Sequence, residues 1–176
     1  MNNEGIKFNN EKFNKYTLEL TNYFNNAIIE DKYMGEYPIK KFDDVLSLLD
    51  NLYDSILNLI SEKTRKSKNV YIFKEYFEDD DITYSNLSKT YNVSENMIYQ
   101  RITIVYRKFV SFFSKNEFSK NIDNILNLLI DIHYEDFYGF VKYCCFIDSI
   151  RKTKFLLSFF FSNEFISLVF SRIEGE

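Results

Sequence analysis

Glycine and proline are nearly missing from this 176-residue chain, which has four of one and one of the other. Such a scarcity of turn formers, together with long runs of 3.6-residue apolar periodicity, predicts an all-α protein. Four glycines also leave no phosphate-cradling loop. Histidine occurs once, as His133 ahead of Tyr134 and Glu135, a setting that reads as a surface or capping group. The only two cysteines, Cys144 and Cys145, are adjacent, which suits neither tetrahedral ligation nor ordinary disulfide geometry. They read as reduced core residues of a cytosolic chain. No apolar run reaches the roughly 20 residues of a spanning helix. The greasiest, Leu156–Phe161 followed by Phe165, Ile166, Leu168, Val169 and Phe170, is broken by Ser162, Asn163 and Glu164. The N-terminus is polar and lacks the apolar core of a secretory signal. These absences predict a cytoplasmic protein that is not an enzyme and takes no cofactor, metal or membrane anchor.

What the chain does have is core-forming material, 45% hydrophobic and 19% aromatic, enough for one compact domain or two small ones. Phe13, Tyr16, Leu20, Tyr23, Phe24, Ala27 and Ile28 space a first amphipathic helix that breaks around Gly35 to Pro38. A second carries Phe42, Val45, Leu46, Leu49, Leu52, Tyr53, Ile56, Leu57 and Ile60 on one broad face, with Asp43 and Asp44 expected in its first turn. Residues 63–68, KTRKSK, read as a basic connector. Val70, Ile72, Phe73, Tyr76 and Phe77 mark the next helix, ended by Glu78 to Asp81. The predicted division is N-terminal helices over 1–62, a central unit over 63–116 and a C-terminal helical region over 117–176. Formal charge follows it: residues 1–62 carry a net −5, 63–120 a net +4 and 121–176 a net −3. A basic middle inside an acidic chain fits a site-specific nucleic-acid binder better than a nonspecific coat.

The central unit contains the one chemical signal. Residues 83–109, TYSNLSKTYNVSENMIYQRITIVYRKF, read as two helices broken at Asn92-Val93-Ser94. Asparagine enters the left-handed region cheaply and so ends a helix. Ser94 is placed to cap the next one, with Glu95 at its positive end, and Thr83 to cap the first. Leu87, Val93, Ile98 and Ile102 face inward, leaving Asn96, Tyr99, Gln100 and Thr103 outward. Asparagine and glutamine pair with adenine, and tyrosine touches a thymine methyl or a phosphate. Arg107 and Lys108 follow as phosphate-holding groups.

Tyr76-Phe77-Glu78, Ile82-Thr83-Tyr84, Leu87-Ser88, Val93-Ser94-Glu95, Ile98, Arg101-Ile102 and Arg107-Lys108-Phe109 together resemble region 4 of bacterial sigma factors of the extracytoplasmic-function type. The likeness covers about 35 residues. It departs from that pattern at Asn92, where glycine is common, at Met97, where threonine is, and at Tyr99, where arginine is frequent. It also departs in order, since region 4 usually ends its chain and 67 residues follow Phe109 here. The resemblance implies DNA binding through the second helix.

The resulting expectation is a helix-turn-helix transcription regulator on double-stranded DNA. Asn96, Tyr99 and Gln100 would read base edges, and Lys89, Arg101, Thr103 and Arg107 would hold phosphates. Such readers commonly work as two-fold dimers. The apolar C-terminal region is therefore either a homodimerisation element or an intramolecular core. Two alternatives stay open: a sigma-like subunit of RNA polymerase, and a helical protein-interaction module of plasmid or phage type. Ser111–Phe118 and Ser158–Phe165 echo one another without establishing a repeat.

Overall fold

The computed structural model describes residues 7–64 and 67–175. Among them lie nine α-helices and no strand, the all-α fold that the periodicity predicts. In chain order they are α1 (Glu11–Asn26), α2 (Ile39–Thr64), α3 (Ser67–Phe77), α4 (Tyr84–Tyr91), α5 (Glu95–Phe113), α6 (Ser119–Ile130), α7 (Phe137–Ile147), α8 (Ile150–Leu157) and α9 (Asn163–Glu174). The chain divides into two compact units, residues 50–121 and residues 1–49 with 122–176. Residues 1–49 and 122–176, which the sequence-based division puts in separate regions, thus belong to one unit, while 50–62 and 117–121 join the central one. The division between the units falls within the continuous helix α2, at Leu49/Asp50, inside an uninterrupted apolar stripe that offers no local mark of it.

Several local expectations are corrected. α1 stops at Asn26, with Ala27 extended and Ile28 92% exposed, so neither continues its buried stripe. Asn25 and Asn26, poor helix formers, precede the break. α2 begins at Ile39, which puts Asp43 and Asp44 beyond its first turn; Asp44 instead accepts from Lys40 one turn back, at 3.3 Å. The basic stretch 63–68 is mostly helical, since α2 runs to Thr64 and α3 opens at Ser67, while Arg65 and Lys66 lie outside the described residues. Leu156–Phe161 is not part of one greasy helix either. α8 ends at Leu157 and α9 starts after Ser162, whose hydroxyl accepts from Phe165 N–H at 3.2 Å.

The unit made of both chain ends is built on aromatic rings. Phe24 of α1 meets Phe137 of α7 and Phe165 of α9 edge-on, with centroids 6.2 and 5.4 Å apart. Phe161 lies 5.2 Å from Phe137 and 5.7 Å from Phe13. Phe159, Phe160, Phe161, Phe165, Val169 and Phe170 are all buried, so the apolar tail is spent on the chain's own core. Polar ties pin the frame: Lys32 to Asp136 at 3.0 Å, Lys142 to Asp31 at 2.7 Å, and the Tyr143 hydroxyl to Asp43. That last bond, more than burial, pushes the Tyr143 phenol up to about 12. His133 accepts from the Glu135 N–H as the cap of a short 3₁₀ turn, Tyr134–Asp136, the capping role its setting suggested. Cys144 is buried and Cys145 half-buried, both as thiols.

In the 50–121 unit, Leu52, Tyr53, Ile56, Leu57 and Ile60 of α2, Val70, Ile72, Phe73 and Phe77 of α3, and Ile98, Ile102, Val105 and Phe109 of α5 supply the buried side chains. The Tyr53 ring lies 6.2 Å from Phe109, and its hydroxyl donates to Glu78 at 3.1 Å. The echoing octapeptides do the same local job. Each lies at a junction between helices, with Phe112, Phe113 and Phe118 buried in the first and Phe159, Phe160, Phe161 and Phe165 in the second. No helix among the described residues is long and apolar enough to cross a membrane.

Two contacts give direct stability tests. The buried Tyr16 hydroxyl donates to the Ile132 carbonyl at 2.6 Å, and burial, with the nearby Asp136 carboxylate, pushes its ionisation far up. Tyr16→Phe leaves that carbonyl unpaired and should cost about 1–3 kcal/mol in denaturant unfolding. Gly139 lies under the buried Tyr37 ring, where a β-carbon would sit 2.3 Å from its Cζ. Gly139→Ala is therefore expected to destabilise by about 1–3 kcal/mol, and Tyr37→Leu to relieve that clash, read as a smaller loss in the double variant than the sum of the singles.

Candidate nucleic-acid interface

α4, a three-residue turn and α5 follow one another as the local sequence dictates. Thr83 caps α4 reciprocally: its hydroxyl accepts from Asn86 N–H at 3.1 Å, and Asn86 Oδ1 accepts from Thr83 N–H at 2.9 Å. The helix ends where Asn92 turns left-handed, at φ 53° and ψ 50°, the one non-glycine residue with positive φ among those described. Ser94 restarts the chain as the cap of α5, accepting from Met97 N–H at 3.1 Å. Glu95 stands in the first turn, where the helix dipole favours negative charge.

Ser88 closes the turn. Its carbonyl accepts from both Asn92 and Val93 N–H groups, and its hydroxyl donates to the Val93 carbonyl. In the sequence it figures only within the sigma-like pattern. A second tie is equally invisible there: the Tyr91 hydroxyl, at the end of α4, donates to Glu75 of α3 at 2.8 Å. Burial first, then this bond and the carboxylate's charge, push the phenol up to about 12.

The buried seam of α5 fixes what the rest of the helix presents. Ile98, Ile102, Val105 and Phe109 are fully buried. Successive residues turn about 100° around a helix, so Asn96, Gln100, Thr103 and Arg107 fall in a stripe about 60° wide on the other side, with Tyr99 at its edge. Asn96, Gln100 and Arg107 are exposed, as are Lys108 and, on α4, Lys89; Tyr99 is 43% exposed. Its ring meets Tyr84 edge-on at 6.3 Å, and Tyr84 lies 4.9 Å from Tyr76, so a row of tyrosines backs the exposed ring.

Two of the seven expected contact residues stand apart. Arg101 lies about 140° round the helix from Asn96. It is half-buried, and one of its guanidinium nitrogens, Nη1, is sealed from solvent with no hydrogen-bond partner. Thr103 is on the stripe but half-buried, and its hydroxyl donates to the Tyr99 carbonyl at 2.8 Å, which occupies its only proton. The structure thus brings Asn96, Tyr99, Gln100 and Arg107 together on one face of α5.

Charge is arranged by place rather than by sum. The 50–121 unit holds 11 basic and 10 acidic residues. Five of those acids, Glu75 and Glu78 to Asp81, gather at the end of α3 and the loop after it, where Glu75 and Glu78 accept from Tyr91 and Tyr53. α5 carries no acid after Glu95, and Arg101, Arg107 and Lys108 are its basic residues. Compared with family profiles, with characterised proteins and with solved structures, the chain matches none.

The left-handed turn is directly testable. Asn92→Ala should lower stability by about 1 kcal/mol, because a β-carbon without a local polar partner disfavours this region. Asn92→Gly should be neutral or stabilising. Thermal melts of the three proteins check the order.

Proposed function

We propose that this chain is a site-specific DNA-binding protein that regulates transcription, with α5 entering the major groove. One observation carries the reading: Asn96, Tyr99 and Gln100 share a solvent-exposed face at the start of a helix rigidly capped and seamed from behind. Base readers of this kind use the first turns of their second helix. Amide side chains match the adenine edge, and exposed Lys89, Arg107 and Lys108 supply phosphate contacts that set register. The resemblance of residues 76–109 to sigma region 4 supports the same assignment.

Site-specific readers commonly bind inverted repeats as pairs. Because the apolar C-terminal side chains are buried within their own unit, a pairing surface would have to lie elsewhere. A modest basic excess makes the binding salt-sensitive, with the phosphate share falling as ionic strength rises.

Selection of bound duplexes from a random pool supplies the test site. On it, Tyr99→Ala combined with Gln100→Ala should reduce affinity at least about 10-fold at fixed salt, with little loss on unrelated DNA. Arg107→Ala should weaken both equally and lower the slope of log K against log salt by about 1. Unchanged affinity in the double variant would refute the assignment.

A further inference from the structure

The reading face has a restricted chemistry. From Thr90 to Tyr106 the sequence contains a single basic residue, Arg101. That residue is turned away from the outward stripe, half-buried, with one guanidinium nitrogen sealed. The commonest specific contact to guanine is an arginine or lysine donating to O6 and N7. No such donor stands on the outward face of the first three turns of α5, where base edges would be met. The exposed groups there are the amides of Asn96 and Gln100, one turn apart, the Tyr99 ring and the partly exposed Met97 thioether.

Each of these suits an A·T pair. An asparagine or glutamine amide accepts from adenine N6 and donates to N7, and an apolar surface packs on the thymine methyl. The Tyr99 ring is braced by Tyr84 and Tyr76 rather than swinging toward the backbone, which keeps an apolar edge beside Gln100. Glu95, the exposed carboxylate that would suit cytosine N4, lies about 100° round the helix from Asn96, off the stripe. Arg107 lies about three turns beyond Asn96, in the range of phosphate rather than base contact.

We infer that the half-site read by α5 is an A·T-rich core, with adenines at the two base pairs facing Asn96 and Gln100 and thymine methyls against Tyr99. This rests on the DNA-binding reading above and narrows it to a class of sequence. The test uses the full chain and random-pool selection at fixed salt, run on the natural protein, Asn96→Arg and Gln100→Arg.

The natural protein should prefer A·T over G·C at the core by about 10-fold or more per position. Each arginine variant should move one position toward guanine and leave the others unchanged. Selection of G·C by the natural protein at positions that respond to residue 96 or 100 overturns the base assignment while leaving DNA reading in place. An A·T core indifferent to both substitutions also overturns it, as the reading would then belong to other side chains. No enrichment of any duplex at low salt overturns both proposals together.

Discussion

A helix packed along one side has a single rotational setting, and the setting of α5 governs everything proposed for this chain. Ile98, Ile102, Val105 and Phe109 are withdrawn completely from solvent. Burying a side chain of this size is worth about 1.5–3 kcal/mol. Rotating the helix by one residue would expose several of them at once, so the outward stripe is as well determined as the core. Asn96, Tyr99 and Gln100 face solvent because their neighbours cannot. The caps at Thr83 and Ser94 and the left-handed Asn92 then fix where the helix begins, which decides how far its first turn stands out.

The same seam explains the odd position of Arg101. It adjoins Ile102 in sequence and lies toward the buried side, so its charge is partly withdrawn from water while the amides opposite stay wet. Sealing a guanidinium nitrogen without a partner is unfavourable. The helix tolerates it because shifting register would cost more apolar burial. The result is a helix whose outward stripe is uncharged over its first turns and whose exposed positive charge, on Arg107 and Lys108, comes later.

Features set by neighbours within four or five residues were legible in the sequence. The caps at Thr83 and Ser94, the break at Asn92 and the inward residues Leu87, Ile98 and Ile102 all follow from such short-range rules, and so did the all-α class, while Val93, expected with that inward set, is only half-buried. Features that depend on distant partners were not. Nothing local marks Glu75 as the acceptor for Tyr91, or Ile132 as the acceptor for Tyr16. Nor does the stripe of α2, equally apolar on both sides of residue 49, show that its two parts serve different units. The tail Leu156–Phe170 looked adhesive for want of visible partners. Those partners, Phe13, Phe24 and Phe137, lie up to about 150 residues away in the chain.

The bare α-carbon of Gly139 beneath the Tyr37 ring also constrains how the sequence can drift. The two residues are 102 positions apart, yet neither changes independently. A methyl at 139 is blocked while the ring stands, whereas loss of the ring leaves a gap that a methyl partly fills. Descendants of this chain should therefore reach a small side chain at 139 only through those that have already given up the aromatic at 37. The order of the two replacements is written into the packing.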